Sequence, residues 1–134
     1  MPNSPPSHLY KILPSAPPSP LPTTLPLSPL DKNDGYIHLS TAVQVPLTAS
    51  RFFSQNTELW LLVIKTSTLE QGIDSDGQKK EGAELKWEDV NIGDGNTETF
   101  PHYYGAGLGS GNVGEVKRVE RGEGWSVVMK DLEW

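Results

Sequence analysis

The residue types best suited to chemistry in this chain are His38, Ser40, Arg51, Glu88 and His102. Imidazoles exchange protons near neutral pH and carboxylates stabilise developing positive charge, so the set suits acid–base work on a polar ligand. His38 lies in the run Tyr36 to Ser40 (YIHLS). Period-two geometry puts Tyr36, His38 and Ser40 on one face and Ile37 and Leu39 on the other. On that spacing His38 reads equally as a core histidine bonded to backbone or as a ligand-facing partner of Ser40. His102 sits in Phe100 to Gly105 (FPHYYG), which reads as a compact aromatic loop, either a plug on a sheet edge or a scaffolded binding loop. Arg51 is a surface arginine or a clamp for a carboxylate or phosphate. Glu88, beside Trp87, is a solvent-facing acid or an inward one. His8, at the tail boundary, reads as incidental.

Two histidines and a glutamate would ligate zinc if they converged, but their spacing carries no compact metal motif, and no metal is expected. The glycines at 105, 107, 109 and 111 miss the G-x-G-x-x-G spacing, so that stretch reads as a flexible connector. There is no P-loop and no nucleophile elbow.

The elements that must position these residues follow from pattern. Residues 1–7 read as a flexible tail, and residues 8–134 as one domain. His8 to Leu13 alternates polar and apolar as a first strand. Pro14 to Pro29 is too proline-rich for a regular helix or central strand. Its spaced leucines (Leu21, Leu25, Leu27, Leu30) suggest an ordered loop packed on the core. Asp34-Gly35 signals a turn. Thr41 and Gln44 have capping-box spacing, and Pro46 suits the first position of a short helix to about Phe53. Leu47, Ala49, Phe52 and Phe53 are that helix's candidates for the core. Glu58 to Thr66 (ELWLLVIKT) is the strongest strand, apolar on both faces and therefore central. Residues 70–84 and 91–99 read as polar loops, with a strand from Leu85 to Val90 between them. Val113 to Val119 and Trp125 to Leu132 read as a closing hairpin.

Composition narrows the classes. The 134 residues carry a net charge of −6, with 35% hydrophobic and 21% charged residues. Of 12 prolines, 11 fall in the first 46 residues, so the remainder is more ordinary globular sequence. An acidic chain lacks the basic surplus that phosphate neutralisation needs, which argues against a nucleic-acid partner. Nor is there a polybasic membrane patch. The chain has no cysteine, which removes disulfides and thiolate chemistry. With no apolar signal-like run at Met1 to Leu9 and no apolar run long enough to span a bilayer, the expected location is cytoplasmic.

The segment Asp34-Gly-Tyr-Ile-His-Leu-Ser-Thr-Ala-Val-Gln44 resembles the signature Asp-Gly-Phe-Ile-His-Leu-Ser-Thr-x-x-Gln of the domain of unknown function 952. The resemblance continues through Thr48, Arg51-Phe-Phe53, Leu85 to Glu88 and Phe100 to Gly105, and covers roughly residues 9–119. The proline-rich segment and the loops near 72–82 and 91–99 depart from the compact bacterial form and look fungal-like. The resemblance implies an α+β fold with a curved, split, mostly antiparallel sheet and few short helices, similar to ADP-ribosyltransferases. It further implies one polar pocket holding a small-molecule ligand, with NAD as a cofactor of the analogous enzymes. In that pocket His38, Glu88 and His102 would be catalytic. Ser40, Thr41, Gln44, Arg51 and Tyr104 would bind ligand, Arg51 through an anionic group and Tyr104 by stacking on a ring. The reaction implied is transfer on a nucleotide-like or glycosyl substrate; the alternative is a non-catalytic module that binds a metabolite or partner.

Overall fold

The computed structural model describes residues 5–134. The expected tail therefore falls partly outside the described residues. Its end is anchored: the Ser7 amide donates to the Trp134 carbonyl, and the Ser7 carbonyl accepts from the Thr66 amide.

The chain runs β1 (His8–Leu13), α1 (Pro29–Asp34), β2 (Ile37–His38), α2 (Gln44–Phe52), β3 (Glu58–Lys65), α3 (Thr66–Glu70), β4 (Glu84–Gly93), β5 (Asn96–Tyr104), β6 (Glu115–Glu120) and α4 (Trp125–Val128). The strands form two antiparallel three-stranded sheets, ordered β1-β3-β6 and β2-β5-β4. An isolated bridge between Tyr10 and Ser40 joins the chain beyond β2 to the first sheet.

The apolar run of β3 takes the central place expected of it. Leu59, Leu61 and Val63 face one core, with Tyr10, Val45, Ala49, Trp125 and Met129, where α2 and α4 pack. Leu62 and Ile64 face a second core, shared with Leu9, Ile37, Leu39 and Tyr103, where the second sheet packs. The order of layers is therefore helices, first sheet, second sheet. Burying both faces of one strand is what a continuous apolar run permits and an alternating one does not.

Several local expectations change. Residues 91–99 are not a loop. Asp94 and Gly95 both take positive φ, 55° and 76°, and form the two-residue turn of the β4–β5 hairpin. That geometry matches the right-handed strand twist and favours Asp-Gly. Phe100 to Tyr104 is the end of β5 rather than a loop. Pro101 lies opposite Leu39 and accepts from its amide, but has no N–H to return, so the β2 ladder ends at His38. Trp125 to Val128 is a short helix, and no closing hairpin forms. The proline-rich segment is an ordered strap, but only Leu25 packs on the core; Leu27 and Leu30 are exposed. The glycine stretch is a clasp rather than a flexible connector. Leu25 and Leu108 are bonded through their backbones, as are Ser110 and Pro22. A Cβ on Gly109 would lie 2.0 Å from the Thr23 carbonyl oxygen. On α2, Val45 and Ala49 face the core while Leu47 and Phe52 point outward.

Candidate active site on the second sheet

Register determines which side chains share a face. Ile37 pairs with Tyr103, and His38 with His102. His102 pairs in turn with Lys86, Phe100 with Glu88, and Tyr104 with Glu84. Directly paired residues point the same way. His38, His102 and Lys86 thus form one row across the sheet, flanked by Tyr104 on one side and Glu88 on the other. Ile37, Leu39, Leu85 and Tyr103 take the opposite face and pack in the second core. The alternation that buries the sheet is the same alternation that gathers the polar groups.

The two imidazoles lie edge to face, 5.2 Å between centroids. Tyr36 covers both, at 4.7 Å from His38 and 4.4 Å from His102, and meets Tyr104 at 4.8 Å. Lys86 Nζ stands 4.6 Å from the Tyr104 ring centre. Each histidine is held through Nδ1 by a carboxylate: His38 by Asp31 at 2.7 Å, and His102 by Glu88 at 2.8 Å. A carboxylate at Nδ1 fixes the tautomer and ring orientation, which leaves Nε2 for proton exchange. His38 Nε2 faces Asp34 at 3.0 Å. Because ionised carboxylates only accept, a neutral His38 satisfies Asp31 or Asp34 but not both.

Asp31 is the buried hub. Its Oδ1 accepts from the His38 amide and ring, and its Oδ2 accepts from Lys11 Nζ at 2.6 Å. Burial opposes ionisation of this carboxyl, but the His38 bonds and the Lys11 charge outweigh it and hold the group below its ordinary range. Burial lowers Lys11, with Asp31 acting against that shift. The Tyr104 hydroxyl donates to Glu88 at 2.7 Å. That bond, reinforced by His102, keeps Glu88 below the usual carboxylate range and pushes Tyr104 up to about 12. Burial, then the nearby Asp34 and Glu88 charges, raises Tyr36.

The expected residues divide. His38, Glu88, His102 and Tyr104 come together. Ser40 is buried next along the same face, its backbone paired with Tyr10. Thr41 and Gln44 bond reciprocally across the turn that enters α2, whose N-cap is Val43 and whose first residue is Gln44 rather than Pro46: the Thr41 amide donates to Gln44 Oε1, and the Gln44 amide to Thr41 Oγ1. Gln44 Nε2 also donates to the Thr99 carbonyl, so the pair ties helix to sheet. Arg51 is exposed over Phe52 and lies at the hairpin turn beside Gly93. At about 3.3 Å per residue over the five residues of β4 from Glu88 to Gly93, that is roughly 16 Å from Glu88, so Arg51 does not join the imidazole pair. His8 sits apart, against Ser7 and Glu133.

Sequence reasoning missed Lys11, Asp31, Asp34 and Tyr36. The signal for α1, which delivers Asp31, was present: Ser28 at the cap, Pro29 in the first turn and Gly35 in the left-handed closing position. No group of three or more potential metal ligands occurs among the described residues. Nor is any helix among them long and apolar enough to cross a membrane.

Known proteins share this fold. The crystal structure of protein CC0527 from Caulobacter crescentus superposes with a TM-score of 0.57 at 25% identity, covering 84% of this chain and 86% of that one. The structure of a double mutant of the same protein gives a TM-score of 0.57 at 24% identity with the same coverage. No curated protein matches. The family described as "Protein of unknown function (DUF952)" matches residues 22–116, and the chain belongs to that family.

Proposed function

We propose that the polar face of the second sheet is the active site of an enzyme that transfers a group on a nucleotide-like or glycosyl substrate. The observation that carries this reading is the facing pair of imidazoles, each fixed at Nδ1 by its own carboxylate under a tyrosine lid. Two oriented histidines in contact on one face can serve as base and acid toward a substrate bound beside them. Tyr36 and Tyr104 offer ring faces for a base or sugar. Glu88, held ionised by Tyr104 and His102, suits stabilisation of positive charge at a sugar carbon better than proton donation. The same arrangement supports an ADP-ribosyltransferase-like chemistry with NAD as the donor, and NAD and ADP-ribose are the first ligands to try. The test is a thermal-shift titration of wild type and His38→Ala with both compounds, followed by turnover assays. Saturable stabilisation that disappears in the variant supports the reading; no stabilisation by either compound refutes the NAD-type substrate.

A second reading, a non-catalytic binding module, is favoured by one specific feature. His38 Nε2 is occupied by Asp34, and His102 is nearly buried beneath Tyr36. Binding that depends on His38 without turnover of the bound compound would select it.

A further inference from the structure

On the other side of Asp31 from the imidazoles, the strap encloses a half-open chamber of about 310 Å3. Residues 14–18 and 25–29 form its walls, and Leu13, Ile37, Leu62 and Leu108 form its floor. Polar groups are few: Ser15, Ser28 and the Lys11–Asp31 pair.

Three observations bear on what belongs there. First, the chamber is held open. Prolines restrict the strap's backbone, and the strap is pinned to the clasp by the Leu25–Leu108 and Ser110–Pro22 backbone bonds and the Thr24–Ser75 side-chain bond. A wall fixed in this way cannot collapse to fill the void. Second, Lys11 has an unspent donor. Its ammonium carries three N–H bonds, of which one meets Asp31 Oδ2 and one the His38 carbonyl at 3.2 Å. Both Asp31 oxygens are already engaged. Lys11, the donor of this pair, can therefore give one hydrogen bond to a guest in the chamber. Third, the pair is formally neutral. An anionic guest would meet Asp31, and a cationic one would meet Lys11, each out of water, where unpaired charge is costly.

We propose that this chamber is a second binding site, and that it takes a small neutral, mostly apolar molecule with one acceptor oxygen, such as a cyclic or medium-chain ketone. At about 30 Å3 per heavy atom, the liquid-like share, the volume suits roughly ten non-hydrogen atoms. It falls at the lower end of ligand-pocket sizes, about 300–1,000 Å3. The acceptor oxygen docks on Lys11 and the hydrocarbon lies under the prolines. Because Asp31 Oδ1 holds His38, the guest sits one residue from the imidazole pair. The inference does not depend on the function proposed for that pair.

The test uses the full chain, labelled with 15N, titrated with cyclooctanone, cyclooctanecarboxylate and cyclooctylamine and followed by amide shifts. Ala16→Trp, at an exposed strap position lining the chamber, fills it without touching the core. The expected result is saturable shifts at Leu25, Ile37 and Leu108 with the ketone. Its affinity should be at least tenfold above that of the acid or the amine, and should be lost in Ala16→Trp with the spectrum otherwise preserved. Lys11→Met, where it folds, should weaken the ketone at least fivefold. Absence of saturable shifts, equal affinity for the charged probes, or ketone binding unchanged in Ala16→Trp would each overturn the proposal.

Discussion

Asp31→Ala should be the most damaging single polar substitution in the protein. Asp31 is 2% exposed and Lys11 9%, and their contact is 2.6 Å. Removing the carboxylate leaves a buried ammonium with the His38 carbonyl as its remaining partner, and the His38 amide and Nδ1 lose their acceptor as well. Breaking a buried pair from one side costs about 3–5 kcal/mol, because the stranded charge keeps its desolvation penalty. For a chain of this length each kcal/mol is worth about 4 °C, so the melting temperature should fall by about 12–20 °C. Adding Lys11→Met removes the stranded charge while keeping similar bulk. The double variant should therefore be more stable than Asp31→Ala alone, with a coupling of about 2 kcal/mol in a double-mutant cycle. Urea denaturation of the four proteins at pH 7 provides the numbers. A cost below about 1 kcal/mol for Asp31→Ala, or a double variant no more stable than that single one, would refute the claim that the buried pair organises this region.

Acidification should act through the same carboxyl. Its folded-state pKa lies below the ordinary 3.8, so the unfolded chain takes up the proton first. The contribution is present in full above that value and is lost as pH falls through the folded-state pKa. The urea midpoint of wild type should thus drop more steeply between neutral and strongly acidic pH than that of Asp31→Asn; equal slopes would contradict the assignment. In Glu88→Gln the Tyr104 phenol loses its anionic acceptor, and its titration, read by tyrosinate absorbance, should move from about 12 toward 10.0. Gly109→Ala would force a Cβ to 2.0 Å from the Thr23 oxygen and should cost about 1–3 kcal/mol in urea titration, whereas an unchanged midpoint would mean the clasp yields freely. Arg51→Ala should leave affinity for any ligand of the imidazole pair within about twofold, since Arg51 stands at the hairpin turn.

Legibility in the sequence followed how local each determinant is. β1 and β3 were readable because alternation and an apolar run are properties of the segment itself. The reciprocal Thr41–Gln44 bonds were readable for the same reason, as both partners lie within one turn. What those two residues do was not readable: the spacing that makes a good cap also commits their side chains to it. β5 was obscured by Pro101, whose missing N–H suggests a loop although here it only ends the short β2 ladder. The hairpin between β4 and β5 was obscured by polar residues on an exposed ribbon, although Asp94-Gly95 carries the turn signal. Asp31 was hidden because an acid in a proline-rich stretch suggests solvent. Only the fold brings Lys11 from β1 to neutralise it.

The arrangement around Asp31 accounts for why a buried ion pair sits where apolar residues would pack as well. Replacing such pairs by hydrophobic residues is often neutral or stabilising, so stability alone does not explain Lys11 and Asp31. Their geometry does other work. Asp31 has one oxygen toward Lys11 and the other toward both the amide and the ring of His38, so the orientation of His38 is set by two contacts from one carboxylate. Lys11 in turn bonds the His38 carbonyl and anchors the backbone that carries the ring. A hydrophobic pair would fill the space and leave the His38 ring held by Asp34 and Tyr36 alone. A Lys11→Met/Asp31→Leu variant separates the two roles: it should match wild type in urea stability to within about 1–2 kcal/mol while the His38 ring resonances broaden or shift. If those resonances stay as in wild type, the pair has no positioning role and the imidazoles are aligned by Asp34, Tyr36 and the strand register.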